Sequence, residues 1–270
     1  DLSRHAARRH HAQRLHALRR PGSPNPRASL GHARDPHRIY DFCAAIVDAT
    51  ADMVCAFKPQ IAYFAAHGAE DQLERLMQHM RCNAPHVPVI LDAKRGDIGS
   101  TAQQYAREAF ERYGADAVTL SPFMGWDSVQ PHLEYHGKGL SCCAAPPTPA
   151  ATTCGHNAWP ACQPALVYEH IAALAQGPWN KNGQLGLVVA PPTRTIERVR
   201  ALAHAAALIP GVGARATTPW PRCAPGCARR GPSSSTPRAP SSMPRRVPDF
   251  AQAARQAAQH TRDTLNAARA

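Results

Sequence analysis

Residues 87–101 read Val-Pro-Val-Ile-Leu-Asp-Ala-Lys-Arg-Gly-Asp-Ile-Gly-Ser-Thr. A short apolar run, Val87–Asp92, has the pattern of a strand buried on both faces. Asp92, Lys94 and Asp97 stand at its C-terminal end, beside two glycines, Gly96 and Gly99. Residues two apart on a strand point to the same side, so Asp92 and Lys94 are expected to share a face. A carboxylate and an ammonium at the end of a buried strand are tolerated only when paired. Two carboxylates around one ammonium can repel a substrate carboxylate and deliver a proton to the carbon it leaves. The plain alternative is a surface ion pair at a strand end. The buried strand and the flanking glycines count against it.

Outward from this stretch, strands and helices alternate. Before it come a helix over about 39–51, a strand in Met53–Lys58 and a helix over Glu70–Met80. After it come a helix over Thr101–Tyr113, with Ser100 or Thr101 as its N-cap and Gly114 as its stop, and a strand in Ala117–Ser121. Further on, the pattern predicts a helix at Leu166–Ala175, a strand at Gln184–Val189, a helix at Ile196–Ala207, a strand at Leu208–Gly213 and a helix at Asp249–Ala268. Such alternation with short loops makes a parallel sheet with right-handed crossovers. The 270 residues suit one α/β barrel of about 250 residues, whose active sites lie at the C-terminal ends of the strands.

The net charge of +12 invites a nucleic-acid reading. Its distribution argues otherwise. Residues 1–38 and 215–246 each carry a net +7, which leaves the rest of the chain slightly acidic. Both segments are rich in Arg, Pro, Ser and Ala, lack apolar periodicity, and have no aromatic interleaving of the kind single-strand binders use. No run of about 18 apolar residues suggests a membrane span, and no apolar leader is read at the N-terminus, so the chain reads as cytoplasmic. Nine cysteines, an odd number, do not form a disulfide framework. Cys142, Cys143, Cys154, His156 and Cys162 match no zinc spacing, and no P-loop is present.

The segment LDAKRGDIGSTAQQYA resembles the signature of the orotidine 5′-phosphate decarboxylases, in the longer bacterial subgroup. AFKPQIAYF, TLSPFMGWDSVQPHLEY, NGQLGLVV and LIPGVGA match in the same order, so that the resemblance spans about 39–140, 164–213 and 248–266. It implies an α/β, (β/α)8 barrel of the triosephosphate isomerase (TIM) type. It further implies a cofactor-free, metal-free carboxy-lyase of pyrimidine biosynthesis, converting orotidine 5′-monophosphate to uridine 5′-monophosphate. By the same resemblance Lys94 would donate the proton. Asp92 would lie against the substrate carboxylate, and Asp97 would complete the charged array. Lys58 would hold the ribose, Ser121 would touch the pyrimidine, and Gly211 and Gly213 would begin the phosphate loop. Asp97 and Thr101 would be presented to a partner's site in a homodimer. A related magnesium-dependent sugar-phosphate decarboxylase shares Asp-x-Lys-x-x-Asp, but the GST-AQQYA continuation and SPFMG favour the orotidine enzyme.

Three segments, about 1–38, 141–163 and 215–247, depart from that family. The chain therefore reads as an irregular basic segment, 1–38, followed by one barrel domain, 39–270, disrupted at the other two. Each segment is consistent with translation out of frame. Leu18–Ser23 can be encoded so that the next frame gives Cys-Val-Gly-Leu-Asp-Pro, a first-strand motif. Ser141–Cys154 and Ser233–Pro244 can likewise be encoded so that a shifted frame restores family motifs. On this reading the first strand is missing, with the sixth and eighth, and the barrel is left incomplete. The alternatives are then an inactive frameshifted copy or a basic nucleic-acid-binding protein.

Overall fold

The computed structural model describes residues 18–19, 38–145, 166–190, 193–205, 207–212, 233–237 and 250–267. Within them lie strands β1 (Leu18–Arg19), β2 (Ala56–Phe57), β3 (Ile90–Arg95), β4 (Ala117–Leu120), β5 (Gly139–Ala145), β6 (Leu185–Val189), β7 (Ala207–Val212) and β8 (Ser233–Pro237). The helices are α1 (Ile39–Thr50), α2 (Ala62–Ala65), α3 (Glu70–Asn83), α4 (Gly99–Arg107), α5 (Gln130–Leu133), α6 (Val167–Gln176), α7 (Thr193–Leu202) and α8 (Phe250–Ala267).

All strand pairings are parallel. β1 pairs with β2, and β3 to β8 pair in sequence order. Bridges Phe57↔Val89 and Gln60↔Asp92 join β2 to β3, and β1 lies alongside β8. The order of neighbours therefore runs round a ring, the arrangement of a (β/α)8 barrel.

Side-chain alternation sorts each strand between two layers. Ala56, Ile90, Ala117, Cys143, Val188 and Leu208, from six different strands, meet in one cluster and so mark the barrel axis. Their neighbours Phe57, Leu91, Val118, Cys142 and Leu187 belong to the larger core under the helices, with Leu73, Leu76 and Met80 of α3. α8 closes the helical layer. Phe250 stacks on Phe42 at 5.0 Å, and Arg255 forks onto Asp52 at 2.8 Å.

The structure corrects the expectation of missing strands. A first strand is present as Leu18–Arg19. The patternless segment beginning at residue 141 falls on the fifth strand rather than the sixth, and both β5 and β8 form. The physical reason is that a parallel ladder is made by the backbone. β5 carries only Gly, Leu, Ser, Cys and Ala yet is buried throughout, held between β4 and β6. Two boundaries also move. The helix before β7 ends at Leu202, and Ala207 is instead a strand residue paired with Leu187 and Ser233. The cap of α4 is Ile98, with extended backbone, and places Ser100 and Thr101 inside the first turn.

Candidate active site

The axial layer above Ala56, Ile90 and Ala117 is built by the residues two further along each strand, namely Lys58, Asp92 and Thr119. Asp92 and Lys58 are almost fully buried, with side chains 4% and 5% exposed, whereas the Lys94 side chain is 47% exposed. Asp92 pairs with Lys58 through Oδ2 and with Lys94 through Oδ1. Its Oδ1 also accepts the Thr119 hydroxyl at 3.0 Å. Burial pushes the Asp92 carboxyl up, but the charges of Lys58 and Lys94 and their hydrogen bonds outweigh it and hold the group well below the usual carboxylate range. The carboxylate is thus fixed in its ionised form between one buried ammonium and one that faces the mouth.

Lys94 reaches this position through a break in the strand. The β3–β4 register shifts between Leu91 and Arg95, and Lys94 has φ +50°. That left-handed backbone is costly for a residue with a Cβ and persists only where the surroundings fix it. The Thr119 hydroxyl accepts both the Ala93 and Lys94 amides, at 3.1 and 3.0 Å. Thr119 is the site residue that sequence reasoning passed over. Its signal was a polar residue in the buried strand AVTL, at the same two-residue spacing that pairs Asp92 with Ile90.

The remaining predicted residues divide. Ser121 follows β4 directly, beside the bulge, and donates its amide to the Arg95 carbonyl at 2.7 Å. A Cβ at Gly96 would stand 3.2 Å from the Ser121 carbonyl oxygen, so glycine permits this close approach. Asp97 has φ +143°, and its Oδ1 accepts the Ile98 amide at 2.8 Å. It makes no ion pair with Lys58 or Lys94 within this chain. Thr101 is exposed in the first turn of α4. Gly211 lies on β7 where the register with β8 shifts, and Gly213 lies outside the described residues. Cys142 and Cys143 face opposite layers. Burial pushes both thiols up, Cys143 to about 11, so neither is a thiolate at neutral pH.

These features define a class, a (β/α)8 barrel with a buried carboxylate gripped by two lysines at the C-terminal mouth. The sequence profile of the orotidine 5′-phosphate decarboxylase / HUMPS family matches residues 30–219. The orotidine 5′-phosphate decarboxylase of Paracidovorax citrulli is 62% identical over 251 residues, covering 91% of each chain. That of Verminephrobacter eiseniae is 64% identical over 220 residues, covering 80% of this chain and 78% of its own. Among solved structures, the Leishmania donovani orotidine monophosphate decarboxylase superposes with a TM-score of 0.78 at 29% identity, covering 99% of this chain and 98% of that one. The chain belongs to the orotidine 5′-phosphate decarboxylase / HUMPS family.

Proposed function

We propose that this chain converts orotidine 5′-monophosphate to uridine 5′-monophosphate and carbon dioxide, in the cytoplasm, as a step of pyrimidine biosynthesis. The observation that carries the reading is Asp92, ionised and buried between Lys58 and the mouth-facing Lys94. A substrate carboxylate set against Asp92 is repelled. The bond from C6 to the carboxyl carbon breaks, carbon dioxide leaves, and the electron pair stays on C6. Lys94 gives its proton to that carbon and is reprotonated from solvent. Lys58 holds Asp92 and meets the ribose hydroxyls, and Ser121 contacts the pyrimidine. The Gly211–Gly213 segment approaches the phosphate, where binding far from C6 helps stabilise the charged transition state.

The same reading makes the protein a homodimer with shared sites. Among the described residues Asp97 makes no ion pair with Lys58 or Lys94 and Thr101 is exposed, which suits delivery to the other subunit. Beside them the loops after β3 and β4 expose Ile98, Phe123, Met124 and Trp126, with Phe123 59% exposed. Exposed large apolar side chains on these two loops fit a subunit interface.

Turnover in deuterium oxide tests the chemistry. The expected product is uridine 5′-monophosphate carrying one deuterium at C6, with one carbon dioxide released per nucleotide. Unchanged substrate, or product with no label at C6, refutes the reading.

A further inference from the structure

Lys94 holds its ammonium on Asp92 from a left-handed backbone, so something must keep residues 93–97 in that shape. On the N-terminal side Thr119 does so. On the C-terminal side stands Arg95, the last residue of β3. Its Nε and Nη2 donate to the Glu108 carboxylate in a fork, at 3.1, 3.1 and 2.8 Å. Its guanidinium carbon lies 4.6 Å from the centre of the Tyr105 ring. Its carbonyl accepts the Ser121 amide at 2.7 Å.

We propose that Arg95, Glu108 and Tyr105 form a clamp that positions Lys94 for proton delivery, without themselves touching substrate. An ordinary exposed ion pair holds little, and Arg107–Glu111 on the same helix is one, with side chains 66% and 53% exposed. Arg95–Glu108 differs in three respects. Its side chains are only 26% and 21% exposed. A planar fork fixes orientation where a single contact does not. Stacking on Tyr105 restrains the guanidinium from a third side. Glu108 also opens a π turn, Glu108–Arg112, that continues directly from α4; such turns occur often at functional positions. Arg95 follows Lys94 in the chain, so locking its side chain and carbonyl locks the backbone that aims the ammonium.

The inference rests on the decarboxylase reading, and two measurements separate them. Steady-state kinetics would compare Arg95→Met, Glu108→Gln and the double variant with Arg107→Met as a control. Amide hydrogen exchange over residues 93–98, followed by mass spectrometry, requires no activity. A misplacement of about 1 Å can cost about 100-fold, so Arg95→Met is expected to lose about 100-fold in kcat with KM close to wild type. Glu108→Gln, nearly isosteric, should fall in the same direction, and the double variant should be no worse than Arg95→Met, as for residues acting as one unit. Arg107→Met should match wild type. Exchange over 93–98 should speed up in both clamp variants. Unchanged exchange overturns the clamp whatever the kinetics. Full kcat in Arg95→Met also overturns it, and so does a loss confined to KM, which would put Arg95 in substrate binding. A wild-type chain inert toward orotidine 5′-monophosphate refutes the decarboxylase reading, and the exchange result still decides the clamp.

Discussion

His132, on α5, is 1% exposed, and among the described residues neither ring nitrogen makes a well-formed hydrogen bond, although the nearby Ser128 backbone opposes the effect of burial in part. Burial holds its pKa down to about 4 from 6.5. In the unfolded chain the imidazole titrates near its ordinary value, so as pH falls the unfolded state takes up the proton first. The stability this neutral histidine allows is fully present above about 6.5 and is lost as pH falls toward about 4. The shift corresponds to about 3 kcal/mol in all, of which about 2 kcal/mol is gone by pH 5. Urea unfolding at pH 7.5 and pH 5, for wild type and His132→Leu, isolates the effect, because other groups titrate alike in both. Leucine fills a similar volume and contacts Phe110, whose ring centre is 6.3 Å from the imidazole. The variant should therefore lose about 2 kcal/mol less than wild type between the two pH values. Equal losses in the two proteins would show that His132 is hydrated or paired, and the reasoning would fail.

Thr119→Val keeps the shape of the side chain but removes the acceptor for the Ala93 and Lys94 amides and the donor to Asp92. A stability loss of about 1–3 kcal/mol by denaturant unfolding is expected, with a fall in kcat larger than any change in KM. Asp97→Ala loses the bond to the Ile98 amide and should cost about 1 kcal/mol of stability while abolishing turnover. Mixing it with Lys94→Ala should restore activity, because a mixed dimer regains one complete site. If the mixture stays inactive while both variants form dimers by sedimentation, the site is not shared. Asp92→Asn removes the carboxylate charge that pairs with the buried Lys58 and with Lys94. About 3–5 kcal/mol of destabilisation is expected by thermal or urea unfolding.

Much of the barrel was legible because its central strands obey simple rules. Val-Pro-Val-Ile-Leu and Gly-Leu-Val-Val are aliphatic runs bounded by polar turns, and α3 places Leu73, Leu76 and Met77 on one buried face. β5 and β8 were not legible. Their Ser, Cys, Ala and Pro residues carry no β-propensity signal, a single Thr in β8 does not make up for it, and the backbone ladders that make them strands leave no trace in residue type. β1 is two residues long and depends on β2.

At the site, the two-residue spacing foretold that Asp92 and Lys94 meet, but not the left-handed turn that brings them together. Lys58 was expected from resemblance alone; the structure buries it against Asp92, two residues above Ala56 on the axis. Asp97 could not be placed from spacing, because its φ of +143° turns it out of the array formed within one chain. Thr119 was missed because a lone threonine in a strand is usually a satisfied core residue. Only the register of β4 against β3 sets it beneath the Lys94 amide.

The most direct test of the account is the ultraviolet change of orotidine 5′-monophosphate on incubation with the purified chain, beside Lys94→Ala. Steady loss of substrate is expected with the wild-type chain, and none above background with the variant. Equal rates in the two proteins would remove Lys94 from the chemistry and contradict the central claim.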